Sequence, residues 1–209
     1  MRTQQIRVKI QEAVQEEKRT GRLAKELKAM AAQNRAHPTA ADVKSAVKFI
    51  QEYIEHVPHF MEEGAAAAAQ IGLGAQMNQM CAQLEAYWFE ENDLIPDRLG
   101  LQGLLDDAYA SLVLLQAVSD YCQSVAGRPL LRQDMKAANL SVHGLIGEPI
   151  ASMLDQMVGV TISQTMMQQW ITQLATGSMP MFGNAPDPMW GNASIDEVVT
   201  ARLGAMGVV

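Results

Sequence analysis

Between residues 99 and 124 the apolar side chains Leu101, Leu104, Leu105, Ala108, Leu112, Leu115 and Val118 recur at helical spacing and nearly encircle the helix axis. A helix that is apolar all round has to be covered on every side, so the rest of the chain must supply the elements that wrap it. Those elements also read as helices. No apolar/polar alternation survives over more than a few residues, and no β-branched or aromatic cluster bounded by turn residues occurs. The expected fold is therefore all-α, a multi-helix bundle with an amphipathic N-terminal helical arm and a flexible C-terminal tail.

Punctuation sets the order of helices. Ile6, Ile10 and Val14, then Leu23, Leu27 and Met30, predict an amphipathic helix over residues 3–34 with a bend or break at Gly21. Pro38 pushes His37 out of the α region and ends it. Thr39, with Asp42 three residues on, reads as the N-cap of a helix carrying Val43, Val47, Ile50 and Ile54. After Pro58, residues 59–89 read as one helix in which the run from Ala65 to Ala69 lets a neighbour come close and Gly64, Gly72 and Gly74 weaken the pattern. Gly127 and Pro129 stop the central helix. A short helix over 130–139 is expected next, then a long one from Pro149 with Ile150, Met153, Leu154, Met157, Val158, Met167, Trp170 and Ile171 on its apolar face. Residues 177–192 are rich in Gly, Pro, Asn and Met and read as a linker before a short helix at 194–203. This organises the chain as a basic helical arm (1–57), a helical core (58–176), and a linker with a terminal helix (177–209).

Charge is segregated along this order. Residues 1–48 hold 11 Lys and Arg against 5 Asp and Glu, whereas residues 49–107 hold 11 acids against Arg98 alone. Such a chain favours docking of the arm on the acidic centre, self-association, or a polyanion bound to the arm. Arg19, Arg22, Lys25 and Lys28 form a basic stripe at three-residue steps. Residues 1–48 hold no aromatic residue that could stack on bases, and Glu12, Glu16, Glu17 and Glu26 interrupt the basic run, so nucleic acid ranks below a solvated or docked face, and peripheral contact with an anionic membrane is a further reading. The most apolar stretch, residues 108–118, is 11 residues long, against the roughly 20 that a membrane span needs. No apolar segment of a signal peptide can be drawn over residues 1–14, and Cys81 and Cys122 read as buried free thiols. A cytoplasmic protein is expected.

One segment is distinctive. Asp93-Leu94-Ile95-Pro96-Asp97 is followed after a six-residue step by Gly103-Leu104-Leu105-Asp106-Asp107. Asp93 can accept from main-chain N–H groups just downstream, Pro96 fixes one φ, Leu94 and Ile95 can anchor the turn, and Gly103 allows a close backbone approach. Asp106 and Asp107 lie early in the next helix, where its dipole favours negative charge and one of them can face back onto the turn. The alternative gathers Asp93, Asp97, Asp106 and Asp107 into an oxygen-ligand site for Mg²⁺ or Ca²⁺ in a metal-dependent enzyme. Local capping ranks first, metal second, acid–base chemistry third, and no cofactor is expected on the first reading.

The segment resembles the YkvA-like family, a domain of unknown function whose hallmark is Asp-Leu-Ile-Pro-Asp followed by an apolar stretch and Gly-x-x-Asp-Asp. The likeness covers about residues 87–121. It departs at Glu91-Asn92, where the family commonly has a Ser-Pro-apolar step. The resemblance implies a small helical module without an established catalytic activity.

The remaining signals are weak or absent. His37, His56, His59 and His143 complete no zinc signature, and phosphate-loop, nucleophile-elbow and His-Glu-x-x-His patterns do not occur. Met153, Met157, Met166, Met167 and Trp170 read first as helical core and second as an adaptable groove for a partner helix. Met181, Phe182 and Trp190 in the tail read as a short docking peptide. The resulting expectation is a non-enzymatic interaction module, homo-oligomeric or bound to a protein partner.

Overall fold

The structure is a computed structural model and describes residues 1–90, 94–165, 169, 171 and 194–207. Among the described residues the regular elements are all helical: α1 (Thr3–Thr20), α2 (Arg22–Gln33), α3 (Ala40–Glu55), α4 (Val57–Gln70), α5 (Gly74–Trp88), a 3₁₀ segment (Asp97–Gln102), α6 (Leu105–Ala126), α7 (Lys136–Ile146), α8 (Ile150–Gln164), α9 (Ile195–Leu203) and a closing 3₁₀ turn (Gly204–Met206). The all-α expectation holds. No helix among these residues is long and apolar enough to cross a membrane.

The central position of α6 follows from its composition. It packs against α3, α4, α5, α7 and α8, and Leu105, Ala108, Tyr109, Leu112, Leu115, Val118 and Cys122 are all buried. The same apolar cluster takes in Ile6, Ile10 and Val14 of α1 and Phe49, Ile50, Tyr53 and Ile54 of α3. Each such side chain contributes about 1.5–3 kcal/mol when fully buried, so the basic N-terminal helices are held by core packing as well as by charge.

Glycine and capping residues divide the chain. Gly21 adopts a left-handed conformation (φ 57°) and ends α1, the break rather than the bend of the two expected there. The buried Glu17 carboxylate turns past the break and accepts from the N–H groups of Leu23 (2.9 Å) and Ala24 (3.3 Å), satisfying the start of α2. Thr39 and Asp42 form a reciprocal capping box on α3, and Ser194 with Glu197 forms another on α9.

Two expected helices are placed differently. The single helix over 59–89 is two, because Gly72 (φ 80°) turns the chain between α4 and α5. The alanine-rich stretch packs closely at this break: a Cβ on Gly74 would lie 3.3 Å from Cα of Ala69. The short helix expected over 130–139 instead spans Lys136–Ile146. Side chains of α6 hold the preceding loop open, since Ser119 Oγ accepts from Leu131 N–H at 2.9 Å and Gln116 Oε1 accepts from Met135 N–H at 2.7 Å. Leu130 and Leu131 are buried beneath it. At the far end α9 packs on α3 and α7, with Val198, Val199 and Leu203 buried and Arg202 paired to Glu52. The linker expected over 177–192 lies outside the described residues.

Candidate functional site

The Asp-rich segment forms a tight connection between α5 and α6 that α1 crosses. Pro96 leads into the 3₁₀ segment, which kinks at Gly100 (φ 69°) where it meets Ala13 and Glu16 of α1. Gly103 then returns the chain so closely that a Cβ there would sit 2.5 Å from the Pro96 carbonyl oxygen and 2.8 Å from Cα of Asp97. Only glycine fits without moving the backbone. Leu94 packs partly buried against the core and Ile95 is half-buried.

Asp106 and Asp107 are fully buried at the start of α6. Asp106 Oδ2 accepts from the Tyr87 hydroxyl at 2.9 Å and from Ile95 N–H at 3.1 Å, so this carboxylate fastens the turn to α5. Burial, and then the negative charges of Asp106 and Asp107, push the Tyr87 phenol far above its usual pKa and keep it a donor. The Lys9 ammonium of α1 lies 2.7 Å from Asp97 and 3.7 Å from Asp107. It also donates to the Trp88 carbonyl and lies 5.8 Å from the ring centres of both Trp88 and Phe89. Trp88 in turn donates its indole N–H to Ser111 Oγ at 2.9 Å, and that hydroxyl donates to the Asp107 carbonyl oxygen.

Three of the four aspartates weighed as ligands of a divalent ion are described. A cation site built on Asp97 and Asp107 would put the metal where the Lys9 ammonium is, and Asp106 Oδ2 already accepts two hydrogen bonds. Among the described residues no group of three His, Cys, Asp or Glu side chains is disposed to hold a metal. Asp93, the fourth candidate, lies outside the described residues.

The cations that dock on the acidic centre precede the stripe singled out in the sequence. Arg2 contacts Glu85 and lies 4.3 Å over the Phe89 ring, Arg7 grips Glu62 at 2.8 and 3.0 Å, and Lys9 enters the aspartate nest. Arg19, Arg22, Lys25 and Lys28 are exposed. Arg19 pairs with Glu16, while Arg22 donates to the Arg98 carbonyl and Lys25 to the Thr20 carbonyl.

A second polar cluster joins α6, α7 and α8. Tyr109 donates to Asp155 at 2.8 Å, and His143 Nε2 lies 3.5 Å from Asp155 and 3.6 Å from Glu148, with its ring edge-on to Tyr109. The sequence held no periodic signal for this arrangement, because its members meet only when three helices pack. Of the methionine-rich set, Met153 is exposed and Met157 half-buried. Met166, Met167 and Trp170, like the tail residues Met181, Phe182 and Trp190, lie outside the described residues.

Compared with family models, curated proteins and solved structures, the chain matches none.

Proposed function

We propose that the protein is a non-enzymatic helical interaction module that self-associates or binds a protein partner in the cytoplasm. The observation that carries this reading is the commitment of the described acidic residues to the fold: Asp106 and Asp107 are fully buried, Tyr87 and Ile95 donate to Asp106, and Lys9 pairs with Asp97 beside Asp107. Asp106 and Asp107 have no surface open to solvent, so a substrate could reach those two only if the helices around them parted. On this reading the pattern that resembles the YkvA-like family is a structural latch shared with that family, and function resides on the outer helix faces. Light scattering at low salt together with affinity capture tests it. A concentration-dependent mass or a specific partner is the expected result, and a strict monomer that captures nothing overturns it.

A second reading is favoured by the exposed cations of α2. Arg22 and Lys25 donate to neutral carbonyls and so keep their full charge toward solvent, as contact with an anionic membrane requires. Pelleting with anionic vesicles that weakens as salt rises is expected on this reading, and pelleting indifferent to salt sinks it.

A further inference from the structure

We propose that His143 is a proton-operated clasp: with its ring charged it draws Glu148, in the loop before α8, and Asp155, on α8 itself, onto the C-terminal end of α7. When the ring loses that charge, the connection between the two helices loosens. The clasp works whether or not the protein binds a partner.

Two acids converge on one ring nitrogen. Nε2 of His143 lies 3.5 Å from Asp155 Oδ2 and 3.6 Å from Glu148 Oε1. A neutral imidazole has a single N–H to give, so it serves one carboxylate at most and leaves two negative charges facing the same nitrogen. An imidazolium places a positive charge between them and attracts both at once. The ring also stands in the last turn of α7, where the helix dipole favours a cation.

No other cation offsets these acids: among the described residues, neither Glu148 nor Asp155 pairs with a lysine or an arginine. From α6, Tyr109 meets the imidazole edge-on at 5.9 Å between ring centres and donates to Asp155 Oδ1 at 2.8 Å. Burial first, then that bond and the charges of Asp155 and Glu148, push its phenol far above the usual range, so it stays a neutral donor. The helix α9 also packs on α7. Of its charged residues, Glu197 caps Ser194, Arg202 pairs with Glu52, and Asp196 makes no ion pair with His143. Lys136 is held at the opposite end of α7 by Asp120 and Asp134. Histidine is the side chain that ordinarily changes charge between about pH 5 and 8, so the clasp turns on one proton.

The clasp bears on α8 because Asp155 is the sole charge from Ile150 to Gln164. Ala151, Leu154 and Val158 hold the buried side of that helix, and the charged ring adds its ionic tie. The tie contributes stability while the ring is charged, below the ordinary imidazole value of about 6.5, and is lost as pH rises through the ring's titration. Glu148 and Asp155 are exposed, so solvent screens the tie and keeps its effect small.

Urea unfolding of the full chain at about pH 5.5 and about pH 7.5, on either side of the imidazole range, tests the clasp. The gap between the wild-type and His143→Gln midpoints should be wider at the lower pH by about 0.2–0.5 M. In a chain already carrying Glu148→Gln and Asp155→Asn, adding His143→Gln should open no gap that depends on pH. A gap of equal width at both pH values in the wild-type background overturns the proposal, and so does a pH-dependent gap that survives once both acids are replaced. If His143→Gln fails to fold, the wild type is compared directly with Glu148→Gln/Asp155→Asn. The same widening at the lower pH is expected there, and its absence is equally fatal.

Discussion

The ammonium of Lys9, near the start of α1, lies 2.7 Å from the carboxylate of Asp97 at the start of the 3₁₀ segment, and 3.7 Å from the buried Asp107. One side chain thus closes α1 onto the α5–α6 connection. Removing a partner from a pair that is largely out of water leaves a charge with weaker compensation, which typically costs about 3 kcal/mol or more. Lys9→Met is therefore expected to lower stability by about that amount in urea unfolding. Adding Asp97→Asn to it should cost less than the two separate effects combined. Additive losses would show that the two residues do not act as a pair.

Gly103 and Gly159 make opposite predictions for the same substitution. A Cβ at residue 103 would overlap the Pro96 carbonyl, so Gly103→Ala must shift the turn and is expected to cost about 1–3 kcal/mol or more. A Cβ at residue 159 meets nothing within 4 Å on an exposed helix interior, and Gly159→Ala should stabilise the monomer by about 0.5–1 kcal/mol. Thermal melts at a concentration where the protein is monomeric separate the two. A silent Gly103→Ala would rule out the close approach.

Burial raises the Cys81 thiol, with help from the Glu85 charge, and raises Cys122 by itself; both reach about 11. Neither thiolate is populated near neutral pH, and both sulfurs are shielded. An aromatic disulfide reagent at pH 8 should label neither residue in the folded protein and both after unfolding. Rapid labelling of the native state would contradict the packing of α5 and α6.

What the sequence disclosed and what it hid divide by distance along the chain. The all-α fold, the Thr39–Asp42 cap and the stops at Gly21 and Gly127 depend on neighbours within a turn or two, and these were readable from period and punctuation. The start of α7 was not, because Gln116, on another helix, takes the Met135 N–H that a helix beginning at residue 130 would have bonded to the Leu131 carbonyl, and Ser119 holds the Leu131 N–H. Charge segregation offered docking of the N-terminal cations on the acidic centre as one of three readings without choosing among them, and regular spacing drew attention to Arg19, Arg22, Lys25 and Lys28. Arg2, Arg7 and Lys9, which dock, have no such regularity; their positions are set by the burial of Ile6 and Ile10 beside them. Asp106 was legible as a residue that could face back onto the turn, whereas its bond to Tyr87 required knowing that α5 and α6 pack side by side.

Acid should weaken the protein through two carboxylates that can be separated. The Arg7 guanidinium, donating at 2.8 and 3.0 Å, holds the Glu62 carboxyl below its usual range against the opposing effect of burial, and the Thr39 hydroxyl and N–H do the same for Asp42. In both cases the folded pKa is depressed. The stability each group contributes is therefore fully present above the unfolded value, about 4, and is lost as pH falls from there through the depressed folded value. Both sites are well exposed, so solvent screens them, and the Arg7–Glu62 pair is expected to contribute less than about 1 kcal/mol. Urea midpoints measured from pH 6 down to pH 2 should fall in the wild type. They should fall less steeply below pH 4 in Arg7→Met, and less steeply again when Asp42→Asn is added. Identical slopes in all three proteins would mean that the acid sensitivity arises elsewhere, with the buried Asp106 and Asp107 the next groups to replace.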